Sequence, residues 1–397
     1  VYGSFGYFFD ITKLEMPRGL FGGEHWINYY WTLDTYDWAS ISCNEGGAGT
    51  SGCLGTFIEQ WDARRSTNQL DPDLSAYFNR PMTGIDPNLK PVRTGETIFG
   101  LDHELSATMS LHVRYVHKWL TRTIEDNGIL VPGIGELYLI ANPGWGYASI
   151  MNPSWPNYHT PHATRDYDSI EFRLRKRLAN RWSAEIDYTY SRLWGTYGGL
   201  ASSDEGGRTS PNVNRYFDNP YMSFNSNNQA VFGLLPTDRP HVLKLQATYD
   251  LPWGTSVGAY GILQSGVNES TRISYAGYPV YVYSRGDMGR MPVYKQVDLS
   301  VQHDLRIGGN RRVSLQANID NLFDLAGYTG FYTGYPYRSG ITPKNADTVF
   351  FGGPWTPAAE VAKLRAAGST ILDSDFYGLL EGRQGRRSIR FQAKFSF

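Results

Sequence analysis

The sequence has no long apolar run and little charge. Its 397 residues have a mean hydropathy of −0.41, and no stretch approaches the ~20 consecutive apolar residues of a membrane-spanning helix. Lys, Arg, Asp and Glu make up 19% of the residues, and the formal net charge is −1. This near-zero charge excludes a broad basic surface for nucleic acid. Aromatic residues reach 15%, which excludes an intrinsically disordered chain.

Cysteine is also scarce, which limits cross-linking and metal chemistry. Cys43 and Cys53 are the only two, and the Gly-rich stretch 44–52 separates them. This short separation predicts a disulfide that closes a small loop in an oxidising compartment, with two free thiols as the alternative. No His or Cys pair at ligand spacing lies nearby. We therefore expect no metal site there, and no cofactor in the chain.

Motifs for catalysis are missing as well. No G-x-G-x-x-G opens a helix, and neither a P-loop nor a G-x-S-x-G elbow occurs. Glu185 and Asp187 share one face of a predicted strand. We interpret them as part of the polar face of a sheet wall rather than as an acid–base pair. His159 and His162 stand three residues apart in a loop, without a third ligand. We expect the chain not to be an enzyme.

What the sequence does contain is alternation with a period of two. In the last ten residues, apolar Ile389, Phe391 and Phe395 alternate with polar Arg390 and Lys394. Such alternation is typical of strands with one apolar and one polar face. Similar segments predict ten strands at residues 1–15, 91–104, 109–124, 165–177, 182–194, 241–251, 255–265, 293–306, 312–323 and 386–397.

The predicted connections alternate between short turns and long loops. Such an order of tight turns and long loops predicts an up-and-down antiparallel meander with all long loops on one side. One segment, Pro357–Ala367, has helical character and predicts a short helix inside a loop. The long connections are 17–89, 125–163, 195–240, 266–292 and 325–384.

Charge on the polar faces favours a transmembrane β-barrel over a soluble sandwich. A solvated sheet face needs fewer charges, and sandwich loops are usually short at both ends. Closed barrels span membranes with alternating strands of ~10 residues, short periplasmic turns and long outer loops. Aromatic residues near predicted strand ends suit the membrane interface: Tyr115, Trp119, Trp182, Tyr188, Tyr190, Trp194, Tyr249 and Trp253.

The order of several motifs resembles that of TonB-dependent outer-membrane receptors. Residues 296–324 (QVDLSVQHDLRIGGNRRVSLQANIDNLFD) with the terminal strand SIRFQAKFSF are similar to the end of such a receptor. There, an Asn-Leu-Phe element (here 321–323) closes the penultimate strand. The segments 1–18, 86–126 and 237–253 resemble the Oar-like subgroup.

This resemblance implies both an architecture and partners. Such receptors have a TonB box, an N-terminal plug and a 22-stranded barrel, and neither of the first two occurs in residues 1–397. We expect the C-terminal ten strands of such a barrel in the bacterial outer membrane, with extracellular loops. A chain that begins at Val1 without a signal peptide agrees with a mature or partial protein. The implied partners are outer-membrane lipid, the TonB complex through the plug, and the barrel assembly machinery through Phe395 and Phe397.

The outer loops concentrate aromatic residues with glycine, a composition suited to ligand capture. Energy-coupled uptake of a scarce ligand is the first interpretation. A structural or secretion-linked barrel that binds a partner protein at the surface is the second, and a soluble carbohydrate-binding β protein is the third. The loop tripeptide Arg285-Gly286-Asp287 matches an adhesion motif, which we interpret as chance. The candidate ligand-binding residues are Trp26, Tyr29, Tyr30, Tyr275, Tyr278, Tyr328 and Tyr332.

Overall fold

Ten long strands form one antiparallel sheet in which each strand pairs with its neighbours in sequence. The computed structural model describes residues 1–10, 27–31, 57–62, 85–131, 135–149, 161–199, 217, 232–275, 278–309, 311–332, 357–368 and 376–397. The strands are β1 (Tyr2–Phe9), β2 (Arg93–Ser106), β3 (Met109–Arg122), β4 (Arg165–Ala179), β5 (Trp182–Gly195), β6 (His241–Asp250), β7 (Thr255–Gln264), β8 (Tyr294–Arg306), β9 (Arg312–Asp320) and β10 (Ser388–Ser396).

All ten predicted strands are present, and the order of short and long connections is confirmed. β1 ends at Phe9, and residues 11–15 of the predicted first strand lie outside the described part. The predicted helix is present as α1 (Pro357–Ala366). In the parts of the chain that the structure describes, no helix has the length and apolar content needed to cross a membrane.

Small two-stranded elements occupy the long connections. They lie at one end of the sheet, which we call the loop end, and the opposite end with its short turns is the turn end. The paired segments are Ile27–Trp31 with Phe57–Asp62, Glu125–Val131 with Gly135–Ala141, Asn268–Glu269 with Gly289–Arg290, Arg272–Tyr275 with Tyr278–Tyr281, and Tyr328–Phe331 with Leu380–Arg383; Gly233–Leu234 pairs with the end of β5, and Gly146–Ser149 is a 3₁₀ turn.

The strand register aligns apolar side chains across the whole sheet, as alternation requires. Ile186 on β5 stands opposite Leu245 on β6, and Leu299 on β8 stands opposite Ile319 on β9. The resulting apolar face is not covered by other described residues: Phe391 is 82% exposed and Phe99 is 61% exposed. A large uncovered apolar surface of this kind marks contact with lipid or another partner.

The other face of the sheet, the polar face, is concave and held by ion pairs between neighbouring strands. Polar side chains of β4 to β10 line a single cavity of about 730 Å³, which shows the curvature of the sheet. Arg173 donates to Asp187 at 2.5 Å, and Glu185 accepts a contact from Arg175 at 3.5 Å. Glu185 and Asp187 therefore serve as wall charges, as the sequence predicted. Other pairs are Arg114–Glu171, Lys118–Glu96, Arg312–Asp304 and Arg390–Asp320.

A two-residue turn with a lysine beneath it joins β4 and β5. Asn180 and Arg181 both have positive φ, 54° and 70°, which matches the twist of the flanking strands. The Lys176 ammonium donates to the Ala179 and Trp182 carbonyls at 2.8 and 2.9 Å. It also lies 3.9 Å from the centre of the Trp182 ring. Lys176 therefore fixes this hairpin through backbone contacts.

Aromatic residues border the apolar face at both ends, although the sequence placed two of them incorrectly. Trp119 and Trp194 lie near the loop end, and Trp182 lies at the turn end. Tyr115 and Tyr188 instead lie at the middle of β3 and β5. The predicted strands 109–124 and 182–194 agree with β3 and β5 within two residues, so the error lay in assigning these two rings to the strand ends, because a mid-strand tyrosine and a terminal one follow the same period-two pattern.

The Asn-Leu-Phe element forms a tight turn after β9. Asn321, with a φ of 53° and only 2% exposed, donates through Nδ2 to the carbonyls of Leu325 and Gly385 at 2.8 and 2.9 Å. Its backbone N–H donates to an Asp298 carboxylate oxygen at 2.7 Å. One asparagine thus joins β8, the end of β9 and the approach to β10.

Candidate functional site

At the loop end, the connections β3–β4, β5–β6 and β7–β8 meet in a small apolar core. Its buried members are Ala163, Tyr197, Phe217 and Tyr281, with Leu120 packed against them. Because these residues come from separate connections, the core holds the bases of the loops together. We call this packed region the collar.

An ion pair with a buried carboxylate joins two loops of the collar to the sheet. Arg290 pairs with Asp238, whose side chain is 0% exposed, and also donates to the Asp238 and Gly266 carbonyls at 3.0 and 3.3 Å. The Leu193 N–H on β5 donates to the other Asp238 oxygen at 2.6 Å. Both charges are paired and hydrogen-bonded, as burial demands. Arg239 next to it has a lowered pKa because burial disfavours its charge.

The Arg285-Gly286-Asp287 tripeptide belongs to the collar, which supports reading its match to an adhesion motif as chance. Arg285 is 6% exposed and donates to the Tyr281 hydroxyl at 2.8 Å and to the Thr196 carbonyl at 3.0 Å. Asp287 accepts from the Thr271 N–H at 2.8 Å and from the Thr271 hydroxyl at 2.5 Å. A partner protein cannot reach an arginine held in this way.

A further hydrogen bond extends the collar to the last long connection. The Thr271 hydroxyl lies 2.5 Å from the Tyr377 hydroxyl, which joins the β7–β8 and β9–β10 connections. Tyr197 stays a neutral hydroxyl, because burial and the nearby Glu125 raise its pKa. These hydrogen bonds link the bases of the loops to one another.

Six of the seven predicted ligand-binding residues lie on or next to three separate strand pairs. Tyr328 and Tyr332 belong to one of these pairs: Arg383 stacks over the Tyr328 ring at 4.9 Å, and the Tyr332 ring lies 5.6 Å from Phe376. Tyr332 is 42% exposed. The backbones of Tyr275 and Tyr278 face each other in the hairpin Arg272–Tyr281.

The other predicted residues are described only in part or fall outside the described ranges. Tyr29 and Tyr30 lie on the strand that pairs with Phe57–Asp62. Trp26, Cys43 and Cys53 lie outside the described residues, so the disulfide stays a prediction.

The concave polar face contains a second cavity nearer to β1. It has a volume of about 420 Å³, and its lining includes Arg114, Glu171 and Lys244. His112 contacts Asp102 through Nδ1 at 2.7 Å at its edge. In the described part of the chain, no group of three His, Cys, Asp or Glu residues could hold a metal ion. Both cavities are lined by acidic and basic side chains.

Sequence reasoning missed the residues that build the collar. The only signal was that Asp238 falls within the segment 237–253, which carried the family resemblance. No local sequence pattern marks Arg290, because its partner Asp238 lies 52 residues away. No local pattern marks Tyr197 either, because it packs against residues of other loops. Contacts of this range cannot be read from alternation.

Comparison with known proteins identifies the kind of barrel. A family model described as "Outer membrane beta barrel domain" matches residues 3–269. The TonB-dependent transporter Oar of Myxococcus xanthus is 28% identical over 346 residues, which is 82% of this chain and 30% of that protein. The chain thus spans less than a third of that relative's length. The predicted similarity to Oar-like TonB-dependent receptors is confirmed.

Solved structures of outer-membrane transporters are also similar. The siderophore receptor PiuA from Acinetobacter baumannii has a TM-score of 0.36 at 16% identity, covering 61% of this chain and 26% of that one. The outer-membrane transporter YddB from Escherichia coli has a TM-score of 0.41 at 12% identity, covering 62% and 30%.

The family assignment agrees with the uncovered apolar face, which contacts lipid. The interpretation as a soluble carbohydrate-binding protein is therefore wrong. This chain belongs to the outer-membrane β-barrel domain family, and its location is the bacterial outer membrane.

Proposed function

We propose that this chain forms part of the wall and of the outer loops of a TonB-dependent transporter that imports a scarce ligand. One observation carries the proposal: in the described residues, a collar of packed loops lies at one end of the sheet, next to its concave, charged face. A ligand that meets the loops would reach the charged interior next. The similarity to a TonB-dependent transporter supports energy coupling through a plug and the TonB complex.

The ten strands are proposed to be the C-terminal part of a larger wall, of about 22 strands in this class of transporter. Among the described strands, β1 pairs only with β2 and β10 pairs only with β9. Free strand edges in lipid are very unfavourable, because their backbone groups have no partner there. Further strands would satisfy both edges.

Ligand capture is assigned to the aromatic loop hairpins above the collar. Tyr328 and Tyr332 supply rings with polar tips, and the exposed Tyr332 ring supports a role in contact. Rings of this kind bind sugars, peptides and aromatic chelates with little loss of side-chain entropy. The collar would hold the hairpins in place, which lowers the entropic cost of binding.

Surface labelling tests the orientation of the loops. In intact cells, Tyr332→Cys should react with a membrane-impermeant maleimide, whereas Gly308→Cys in the β8–β9 turn should react only after the outer membrane is opened. A background variant with Cys43 and Cys53 replaced by Ser removes the native thiols. Labelling of Gly308→Cys in intact cells would reverse the proposed orientation.

Transport is tested by comparing nutrient uptake in a strain that lacks this gene with uptake in a strain that lacks TonB. The two strains are grown with single limiting nutrients: ferric siderophores, oligosaccharides or peptides. A nutrient whose uptake both deletions abolish supports the proposal, and Tyr328→Ala with Tyr332→Ala should then weaken that uptake. Loss of a secreted protein without any uptake defect would favour the alternative, a structural or secretion-linked barrel.

A further inference from the structure

Near its loop end, the apolar face carries a cluster of polar and aromatic side chains. Two rows of side chains lie next to each other across β3, β4 and β5, as the register shows. The row nearer the loops is Trp119, Asp166 and Trp194, and the next row is His117, Asp168 and Arg192. We call these six residues the outer patch.

The two tryptophan rings of the outer patch stack with its imidazole and guanidinium groups. The His117 ring stacks on Trp119 with centroids 5.0 Å apart and planes 21° apart. The Arg192 guanidinium lies 4.9 Å from the centre of the Trp194 ring. Arginine stacked in this way keeps its N–H donors free at the edge of the ring.

Part of the patch is internally satisfied, and part is left open. The Tyr115 hydroxyl donates to Asp168 Oδ1 at 2.5 Å, and His117 Nδ1 contacts the same oxygen at 2.9 Å. Arg192 is exposed, and within the described ranges neither its guanidinium nor the Asp166 carboxylate has a hydrogen-bond partner. One donor group and one acceptor group thus point toward the membrane side of the wall.

The two ends of the apolar face differ in charge. Near the loop end, this face also carries Arg93, which stacks over Tyr7 at 4.7 Å, and Lys295 opposite Leu263. Within the described strands, the turn half of this face carries only Lys176 among Lys, Arg, Asp and Glu, and its ammonium is occupied by the hairpin carbonyls. On the described strands of this face, open cationic groups therefore occur only near the loop end.

We propose that the outer patch binds the headgroup of a phosphorylated glycolipid in the outer leaflet. Arg192 offers a planar fork for a phosphate. Asp166 accepts hydrogen bonds from sugar hydroxyls, and the two tryptophan rings pack against the sugar. Phosphatidylglycerol offers a phosphate and two glycerol hydroxyls, but it has no sugar ring for the two tryptophan rings to pack against. This proposal rests on the loop end facing outward, which the surface labelling tests independently.

Binding is measured with the full-length protein, purified from the outer membrane and placed in neutral phosphatidylcholine nanodiscs. Each disc receives a small fraction of one probe: lipid A with both phosphates, lipid A without phosphate, or phosphatidylglycerol. Native mass spectrometry counts the bound probe. We expect retention of phosphorylated lipid A only, and excess inorganic phosphate should not displace it.

Substitutions then locate the site. Arg192→Gln should weaken retention of phosphorylated lipid A roughly tenfold. Arg192→Lys should weaken it less, because lysine keeps the positive charge but lacks the planar guanidinium that binds a phosphate with two donors. Lys295→Gln removes another cation near the loop end of the same face, one outside the outer patch; it is the control and should bind as the parent does. Heat-modifiability on gels confirms folding of each variant. Equal retention by Arg192→Gln, or equal binding of phosphatidylglycerol or dephosphorylated lipid A, would overturn the proposal.

Discussion

Replacing Leu245 by Arg should destabilise the protein in a membrane by roughly 2–4 kcal/mol. Leu245 lies on the apolar face, 41% exposed, between Ile186 and Gly261 on the neighbouring strands. It is four residues from the loop end of β6, which is ~13 Å along the strand and ~10 Å of depth at a tilt of ~40°. A guanidinium at this depth stays largely in hydrocarbon.

The matched control is Gln246→Arg, one residue further along β6. Gln246 lies on the polar face opposite Glu185, so a cation there gains a carboxylate neighbour and avoids lipid. Unfolding in urea is followed in lipid vesicles by tryptophan fluorescence. The Leu245 variant should lose a factor of roughly 30 to 700 in its folding equilibrium, and the Gln246 variant should lose little. Equal losses in both variants would refute the assignment of the two faces.

Four further predictions concern local structure. Asn321→Ala should cost ~1–3 kcal/mol, since the Leu325 and Gly385 carbonyls lose their donor; hydrogen exchange near residue 385 should rise, whereas Asn318→Ala should leave it unchanged. Gly95→Val should also cost ~1–3 kcal/mol, because a Cβ at Gly95 would lie 2.3 Å from Trp119; Gly385→Ala, with open space around it, is the control in the same unfolding assay. Removing Phe397 should reduce the amount of folded barrel in outer-membrane fractions, and normal insertion would contradict its role as an assembly signal. The Arg387 N–H and the nearby arginines lower the Asp324 pKa, so the turn stability present above about pH 4 is lost as the pH falls through the folded-state pKa; Asp324→Asn should remove that dependence in hydrogen exchange.

The strands could be predicted from the sequence because their signal is local. Arg390 and Phe391 are neighbours in sequence and lie on opposite faces of the strand. Alternation alone therefore predicts both the strand and which residues lie on each face. Tyr115 and Tyr188 were assigned to the membrane interface from their residue type, but both lie at the centre of their strands, because an aromatic ring by itself does not indicate depth. Helix α1 was predictable for the same local reason as the strands.

The collar could not be predicted, because it depends on contacts between distant loops. Asp238 and Arg290 look like ordinary loop charges until the fold places them together. The same holds for Arg285, which the tripeptide motif presented as a surface group and the structure buries. Aromatic composition correctly marked the loops as unusual but could not separate rings that build the collar, such as Tyr281, from exposed rings such as Tyr332.

The collar also has a consequence for how such a protein can change over generations. Asp238, Arg290 and Thr271 fix the loop bases independently of the hairpin tips above them. Residues at the tips can therefore be exchanged, lengthened or shortened without disturbing the pairing of β5 to β8. A new specificity then requires changes only in the variable tips, while the same framework continues to insert and fold.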